Sequence, residues 1–395
     1  MRRVDGSSVY TVAGADLYTS QRILDAEARL LDAAGRHNGM TVDQAVVDVA
    51  LLEMAANGVT LDAGQAGLVG SMATSGARLQ LAIAPAGTGK TTALQALTRA
   101  WLEGGGQVIG LAPSAAAAAQ LRDHTRAPTE TLAKLVSSLN YEDDEPPDCI
   151  LNIRSSTLVL IDEAGMADTL CLDTAVDFIV ARGGSVRLIG DDQQLSPIGA
   201  SGVLGDIDNT HGAVRLTQLH RFHDPAEAAA SLALRDGRPE ALGFYLDRQR
   251  IHVGDPATVT ENLFEAWRAD RSRGLDSIML APTRDLVSQL NRRARAHRLH
   301  SGPTSGREIA LADGNRASAG ELIITRRNDR RLRTTASDWV KNGDRWTVLT
   351  ADRDGGLRVQ HRRSGRTIRL PASYVRDFVE LGLCDHHSHR ARPHG

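Results

Sequence analysis

Short apolar runs alternate with helical stretches through the first half of the chain. The apolar runs lie at 79–84, 108–112, 157–161 and 186–189. Most of them are separated by Ala-rich helical stretches, for example 92–103 and 114–122. Because parallel strands are joined by crossovers that are usually helices, this alternation predicts a parallel sheet with helices on both faces.

A helical layer is predicted before the first of these strands. Residues 20–57 have apolar side chains at helical spacing and are expected to form helix. Residues 60–65 start another helix, which runs to about Ser75. We therefore expect the chain to enter its sheet from helical structure.

The pattern of predicted secondary structure changes twice in the second half of the chain. An α/β block starts near Arg215 and has a predicted strand at 277–281 followed by a helix at 285–298. From about residue 301 to residue 374, short alternating strands are broken by Gly-Asp and Asp-Gly-Gly turns, a pattern that predicts a small β-barrel. These strands are expected at 321–325, 345–349, 357–361 and 367–370.

Composition excludes several classes of protein. The 395 residues are 42% hydrophobic and 24% charged, which is typical of a folded globular chain and not of a disordered or collagen-like one. No stretch approaches the roughly 20 consecutive apolar residues that a membrane span needs. Cys149, Cys171 and Cys384 lie far apart and form no CxxC pair, so neither a disulfide framework nor a zinc site is expected. A reducing cytoplasm is the expected location.

The formal net charge of −2 hides an uneven distribution. Residues 303–376 contain 16 Arg or Lys and 8 Asp or Glu, a balance of +8, and the remainder has 30 against 40, a balance of −10. A basic β-barrel suits the phosphate backbone of a nucleic acid. A solvated arginine surface with no ligand is the alternative interpretation.

A phosphate-binding loop is predicted at residues 84–91, Ala-Pro-Ala-Gly-Thr-Gly-Lys-Thr. It follows a strand and opens a helix, so glycine backbone and a helix N-terminus together offer N–H donors and positive potential to phosphate. Lys90 is placed to reach the β- and γ-phosphates, and the Thr91 hydroxyl to bind Mg²⁺. ATP and Mg²⁺ are therefore the expected ligands. The alternative is a Gly-rich turn with a surface lysine.

Acidic and polar residues end two later strands. Asp162 and Glu163 follow a buried strand, at the edge where α/β sheets bind ligands. Asp162 suits the Mg²⁺ shell, and Glu163 suits orienting or deprotonating the attacking water. The strand at 186–189 ends in Gly-Asp-Asp-Gln-Gln-Leu-Ser-Pro, which indicates a sensor of the γ-phosphate. On its own, an apolar run before Asp-Glu is equally typical of a plain strand end.

Four segments in this order resemble the motifs of a superfamily 1 DNA helicase of the RecD/TraI type: APAGTGKTT, LIDEAGM, GDDQQLSP and LTQLHRF. More narrowly, they resemble the helicase portion of TraA/TrwC-type conjugative relaxase–helicases, over nearly the whole chain. The resemblance implies an α/β fold with a RecA-like P-loop NTPase domain. It also implies a second, incomplete RecA-like domain that carries a small SH3-like β-barrel insertion. The implied activity is ATP-driven movement on single-stranded DNA, 5′ to 3′, alongside a separate relaxase or other conjugation machinery.

The resemblance also implies roles at the nucleotide. Gln194 matches the third motif, and Arg221 matches an arginine that reaches the γ-phosphate from the second domain. Gln65 resembles an adenine-reading glutamine, although a solvent-facing helix glutamine is the alternative. The implied catalytic set is Lys90, Asp162, Glu163, Gln194 and Arg221. The implied nucleotide-binding set is Gln65, Gly87, Thr88, Gly89, Lys90, Thr91 and Thr92.

Contacts to single-stranded DNA are implied at two strand ends and one helix. Pro113 and Ser114 match a motif that touches the strand, and Thr131 resembles a similar contact, with a helix cap as the alternative. In the second block the implied DNA-facing residues are Pro282, Thr283, Arg284 and Asn291.

The expected domain division rests on the same resemblance. It comprises an N-terminal helical segment (1–58), an ATP-binding domain (59–214), the first part of the second domain (215–300), the barrel (301–376) and a return segment (377–395). The last residues include four histidines and lack the family's motifs V and VI, so we expect a truncated end with weak hydrolysis and little unwinding. A non-catalytic nucleotide or DNA binder and an unrelated P-loop ATPase are the alternatives.

Overall fold

The computed structural model describes residues 19–141, 146–191, 202–301, 306–335 and 338–386. Within them, six parallel strands form one sheet in the order β3-β2-β4-β5-β1-β6. These strands are β1 Leu79–Ile83, β2 Gln107–Ala112, β3 Thr129–Thr131, β4 Thr157–Asp162, β5 Ser185–Gly190 and β6 Ala213–Arg215. The helices around them are α1 Gln21–Gly35, α2 Gln44–Ala56, α3 Ala63–Thr74, α4 Lys90–Glu103, α5 Ala115–Thr125, α6 Leu132–Asn140, α7 Asp148–Leu151, α8 Thr169–Ala181 and α9 Val203–His211.

Helices cover both faces of the sheet, as the sequence predicts. Along β4, Val159 and Ile161 point into one buried cluster, while Leu158 and Leu160 point into another. The first cluster packs α1, α6, α8 and α9 on the sheet, and the second packs α2, α3, α4 and α5. Because successive strand side chains point to opposite faces, such a continuous apolar run is what a strand buried on both faces requires.

The segment expected as one helix over 20–57 is two helices, α1 and α2. The break is fixed by backbone contacts, since the N–H of Gly39 donates to the carbonyl of Gly76 at 2.8 Å. A Cβ on Gly39 would lie 2.5 Å from the hydroxyl of Ser185, so only glycine allows this close approach. Apolar spacing alone could not locate this break.

The second half of the chain forms a small α/β unit and a barrel. The α/β unit contains α10 Pro225–Arg235, α11 Ala241–Asp247, α12 Pro256–Ser272, β7 Met279–Ala281 and α13 Arg284–Ser301. The barrel region contains β8 Ile309–Ala310, β9 Arg316–Ala317, β10 Leu322–Thr325, β11 Asp329–Thr335, β12 Asp338–Val340, β13 Arg345–Ala351, β14 Leu357–His361, β15 Thr367–Leu370, α14 Ala372–Phe378 and β16 Val379–Leu381. A last strand, β17 Cys384–His386, returns to pair in parallel with β7.

The five-stranded barrel sheet has the order β15-β14-β13-β10-β16 and encloses a core around Trp346, Val359 and Leu381. The sequence predicts that the barrel ends at residue 376 and that the return segment begins at residue 377. In the structure, β16 pairs antiparallel with β10 and is part of the barrel, so the return begins only at β17. In the described part of the chain, none of the helices is long and apolar enough to cross a membrane.

Candidate functional site

A cavity of about 370 Å³ opens at the end of β1, against the first turn of α4. It brings together residues from the predicted phosphate loop, the end of β4 and the segment after β6. Its lining is Ala84, Pro85, Ala86, Gly87, Gly89, Lys90, Thr91, Gln120, Leu121, His124, Asp162, Glu163, His220 and Arg221. The carboxyl edge of this parallel sheet is therefore where the predicted chemistry converges.

The loop before α4 has the backbone that its glycines predict. Gly87 and Gly89 have φ values of 91° and 71°, a region that side chains rarely adopt. Thr88 is buried, and its hydroxyl donates to the carbonyl of Pro85 at 2.9 Å. Thr91 lines the cavity, whereas the N–H of Thr92 donates to the carbonyl of Gly89 at 3.0 Å within the first turn. The first N–H groups of α4 have no intrahelical acceptor, which suits them to bind an anion.

Lys90 joins the loop to the two acids at the end of β4. Its Nζ lies 2.8 Å from Asp162 Oδ1 and 2.8 Å from Glu163 Oε1. Burial alone would lower the pKa of Lys90, but the two carboxylates outweigh it and hold the pKa above its usual value. The acidic pair thus sits beside a cation in a largely buried place. Asp162 and the Thr91 hydroxyl offer the oxygen donors that Mg²⁺ prefers, so these residues fit that ion.

Gln65 hydrogen-bonds to the backbone of the phosphate loop and does not line the cavity. Its Nε2 donates to the carbonyls of Thr88 and Gly89 at 3.2 and 3.3 Å, and its Oε1 accepts from the N–H of Asp62 at 3.0 Å. The residue is 5% exposed, so it is not the solvent-facing helix glutamine that the sequence left open. An adenine contact by Gln65 would require the amide to leave these carbonyls.

The segment after β6, residues 216–221, crosses the phosphate loop, and we call this segment the strap. The N–H of Leu216 donates to the carbonyl of Ile83 at 3.0 Å, and the N–H of His220 to that of Gly87 at 2.7 Å. A Cβ on Gly87 would lie 2.9 Å from the Cβ of Arg221, so Arg221 packs directly on the loop. The family resemblance implies that Arg221 arrives from the second domain. Instead, its segment continues from the edge strand of the first sheet.

His220 and Asp62 are functional candidates that the sequence motifs did not single out. His220 Nε2 lies 2.7 Å from Asp62 Oδ2, and Asp62 also accepts from the N–H of Gln65 at 2.8 Å as the cap of α3. Burial would raise the pKa of Asp62, but these hydrogen bonds outweigh it and hold the pKa below its usual value. The signal for Asp62 was present, since Asp three residues before Gln is the pattern of a capping box.

The third motif lies largely outside the described residues, and so does Gln194. The strand that leads into it, β5, ends at Gly190. The next residue, Asp191, is buried and bound by Arg235 of α10, with Asp191 Oδ1 at 3.0 Å from Nε and 2.5 Å from Nη2. The start of this motif is therefore anchored to α10, the helix that follows the strap.

Three of the predicted DNA-contact positions share one local structure. Ser114 after β2, Thr131 after β3 and Thr283 after β7 each accept a hydrogen bond from a backbone N–H in the first turn of the next helix. Thr131 is thus a helix cap, which the sequence left open as the alternative. A capping hydroxyl keeps its own proton for donation, so capping and a phosphate contact are compatible. Pro113 is partly exposed, and Pro282, Thr283 and Arg284 are exposed.

The prediction that Asn291 contacts DNA is wrong. Asn291 is fully buried on α13. Its Nδ2 donates to the carbonyls of Leu381 and Cys384, and its Oδ1 accepts from the N–H groups of Leu383 and Cys384, all at 2.7 to 3.1 Å. Every hydrogen-bonding group of the amide is therefore used to hold the turn between β16 and β17.

The family comparisons agree with this architecture. A model described as an AAA domain matches residues 60–256, and one described as the Rv2311 SH3-like barrel domain matches residues 309–380. The predicted fold class, a parallel sheet with helices and a small SH3-like barrel, is therefore confirmed.

Two relatives are conjugal transfer proteins. The Conjugal transfer protein TraA of Agrobacterium fabrum is 31% identical over 272 residues, which is 68% of this chain and 24% of that protein. The Probable conjugal transfer protein TraA of Sinorhizobium fredii is 29% identical over 294 residues, 72% of this chain and 26% of that protein. A structure of unliganded Pif1 from Bacteroides sp covers 85% of this chain and 84% of its own, at 17% identity and a TM-score of 0.39.

The chain spans about a quarter of the length of these TraA relatives. The AAA match covers the phosphate loop, the acidic pair and the strap, and the barrel match covers the strands from β8 to β16. The resemblance to TraA-type conjugal transfer proteins that the sequence motifs indicate is confirmed: this chain is a relative of the TraA conjugal transfer proteins, with an AAA domain followed by an SH3-like barrel.

Proposed function

We propose that this chain binds ATP with Mg²⁺ in the cavity at the end of β1 and couples ATP hydrolysis to movement along single-stranded DNA during conjugative transfer. The observation that carries the proposal is one convergence. The glycine-rich loop, Lys90, the acidic pair at the end of β4 and Arg221 all line the same cavity. A generic nucleotide site needs the loop and the acids, but it does not need an arginine delivered by a strap.

The residues divide the work by position. The loop backbone and Lys90 hold the phosphates, and Lys90 moves from the acidic pair to the phosphate when the nucleotide enters. Thr91 and Asp162 would hold Mg²⁺, which would supply neutralisation of charge on the phosphates. Glu163 Oε2 is buried and has no hydrogen-bond partner among the described residues, so it is placed to accept a proton from the attacking water. Arg221 and Gln194 respond to the γ-phosphate.

The DNA face is built from the capped strand ends. Ser114 and Thr131 end neighbouring strands, because Ala112 is the register partner of Thr131. Thr283 repeats the arrangement in the second unit. A strand that lies across these helix N-termini would meet positive potential and hydroxyl donors at each one. Movement in the 5′ to 3′ direction rests on the family resemblance. So does cooperation with a separate relaxase or other conjugation machinery.

The cysteines bear on location. Cys149, Cys171 and Cys384 are all free thiols in the structure. Free cysteines without structural disulfides are typical of proteins that work in a reducing compartment, and we propose a cytoplasmic location on that ground.

The direct test is Lys90→Ala, with ATP affinity measured by calorimetry and turnover measured with and without single-stranded DNA. Loss of charge-assisted phosphate bonds worth roughly 1.5–3 kcal/mol should weaken ATP binding by about 10- to 100-fold. Gln95→Ala is the matched control, since Gln95 is an exposed residue of the same helix and does not line the cavity. Unchanged affinity in Lys90→Ala would refute the site.

The wild-type chain separates the remaining alternatives. DNA-stimulated ATP turnover, together with unwinding of a duplex that has a 5′ overhang, supports the motor. ATP and DNA binding without turnover would replace it with a non-catalytic binder. Turnover that single-stranded DNA does not change would favour a P-loop ATPase unrelated to nucleic acid.

A further inference from the structure

A second cavity, of about 400 Å³, lies between the first domain and the barrel. The end of α5 contributes Arg122, Asp123 and Arg126 to it. Strand β12, which pairs antiparallel with β11 to form a two-stranded ribbon, contributes Asp338. The hairpin between β14 and β15 contributes His361, Arg363, Ser364 and Arg366. None of these residues belongs to the helicase motifs described above. We propose that this cavity, which we call the seam cavity, binds a backbone phosphate of the single-stranded DNA on which the motor moves.

The charges in the seam cavity leave a positive excess. Its four arginines face two carboxylates, and each carboxylate is already engaged across the seam. Arg122 lies 3.5 Å from Asp338, and Arg363 lies 3.3 Å from Asp123. Asp338 is also bound by Lys341. The four arginines and two carboxylates leave an excess of two positive charges, which attracts an anion.

Two of these guanidinium groups are available to a ligand. Arg126 and Arg366 are exposed, and within the described ranges neither guanidinium makes a hydrogen bond or ion pair. They come from different units, one from the first domain and one from the barrel. Arg126 also has a positive φ of 62°, an uncommon conformation for a large residue. The N–H fork of arginine matches phosphate oxygens in two parallel hydrogen bonds.

The chemistry of the lining selects a phosphate group and not a whole nucleotide. Every lining residue is polar or charged, whereas pockets for a base or a small organic ligand are mostly apolar. Most of the lining side chains are exposed, including Arg126, Arg363 and Arg366, so the site is open enough for a continuous strand to pass. Contacts of this kind fix a nucleic acid in position without reading its sequence. This inference rests on the proposed function.

The test removes the two available charges by the double substitution Arg126→Asn and Arg366→Gln. Asn tolerates the positive φ at position 126, so the exchange adds little backbone strain. The affinity for a labelled oligo-dT of about 20 nucleotides is measured by fluorescence anisotropy at several NaCl concentrations. Because each phosphate contact on a single strand contributes about 0.7 to the slope of log K against log salt, the slope should become shallower by about 1.4.

The matched control is Arg353→Gln with Arg358→Gln, two exposed arginines of the same barrel that lie outside the seam cavity. This control should keep the wild-type slope, and thermal melting should show both variants folded. If both double variants lower the slope equally, or if the seam variant keeps the wild-type slope, the inference is overturned while the proposed function stands. If the wild-type chain itself fails to bind oligo-dT, the proposed function fails as well.

Measurements in inorganic phosphate distinguish binding of a DNA strand at the seam cavity from binding of a free anion. The melting temperature of the wild-type chain and the seam variant is measured in increasing phosphate concentrations. If phosphate stabilises only the wild-type chain while both proteins bind oligo-dT alike, the seam cavity takes a free anion and the assignment to a DNA strand is wrong. Loss of oligo-dT affinity in the seam variant alone supports the strand.

Discussion

Glu163 is held in an unusual backbone conformation at the end of β4. Its φ and ψ are 55° and 37°, in the left-handed region, and its N–H donates to Asp162 Oδ1 at 2.9 Å. Backbone strain of this kind persists where the surrounding structure over-determines it, and it clusters at functional sites. In this conformation both acids face Lys90. Its Nζ lies 2.8 Å from Asp162 Oδ1 and 2.8 Å from Glu163 Oε1.

Glu163→Gln is therefore expected to separate binding from chemistry. Gln keeps the size of the side chain but cannot take a proton from water, so ATP turnover should fall by about 10²- to 10⁴-fold. ATP affinity, measured by calorimetry, should stay within about threefold, since Lys90, the loop backbone and Asp162 are untouched. Asp177→Asn, an exposed acid on α8, provides the control and should leave turnover unchanged. If Glu163→Gln turns over ATP at the wild-type rate, Glu163 is not the proton acceptor.

At the scale of elements, Arg187 couples β5 to α3. It is fully buried in the strand. Its Nη2 donates to the carbonyl of Met72 at 2.8 Å and its Nη1 to that of Ala77 at 2.8 Å. Burial lowers the pKa of this guanidinium from its ordinary value. Met72 lies in the last turn of α3, so Arg187 satisfies a helix-end carbonyl that would otherwise be orphaned. The other end of α3 holds Gln65 under the phosphate loop.

Arg187→Lys keeps the positive charge but removes the planar guanidinium group, whose separate nitrogens donate to the two carbonyls. A lysine has a single ammonium group and cannot reach both carbonyl positions, so buried acceptors would be left unpaired. The free energy of unfolding, measured by chemical denaturation, should fall by about 2–4 kcal/mol. Arg154→Lys, at an exposed position before β4, should change it by less than about 0.5 kcal/mol. If the two substitutions lower the free energy of unfolding equally, Arg187 does not couple β5 to α3.

The strand-end chemistry of the nucleotide site could be predicted from the sequence because parallel strands share one carboxyl edge. Lys90 follows β1 and Asp162 ends β4, with only β5 between them in the sheet. Two apolar strands, each followed by its own polar motif, therefore specify a common site. The barrel strands were predictable for a different reason, since period-two alternation and glycine turns are local signals.

The rest depended on contacts between distant parts of the chain. Arg187 and Asn291 bond to backbone carbonyls and N–H groups, and backbone atoms carry no sequence signal. The sequence does not show that the strap at Arg221 continues from the first sheet, because the edge strand β6 has only three residues and is too short to show a pattern. A resemblance located these residues but could not say what their side chains touch.

At the scale of the whole molecule, the barrel is held against the first sheet by charge. Arg330 of the ribbon strand β11 lies 2.7 Å from Glu130 of the edge strand β3. Glu130 is buried, and its Oε1 also accepts from the N–H of Thr131 at 2.8 Å. Arg330 stacks in addition over the ring of Trp339, with its guanidinium carbon 4.4 Å from the ring centroid. This ion pair therefore ties the ribbon to the edge strand of the first sheet.

Arg330→Ala is expected to loosen the barrel from the first domain. It leaves Glu130 as a buried carboxylate without its cation, which is costly unless solvent reaches it, and solvent can reach it only if the ribbon lifts. Small-angle X-ray scattering at low salt should show a larger radius of gyration, and trypsin should cut the ribbon faster. Raised salt should weaken the wild-type contact in the same direction, although less, because a partly buried pair is only partly screened. Arg331→Ala is the neighbouring control, since the Arg331 side chain is 90% exposed and pairs within the ribbon with Asp329. Equal scattering curves for Arg330→Ala and Arg331→Ala would mean that apolar packing, and not the Arg330–Glu130 pair, fixes the position of the barrel.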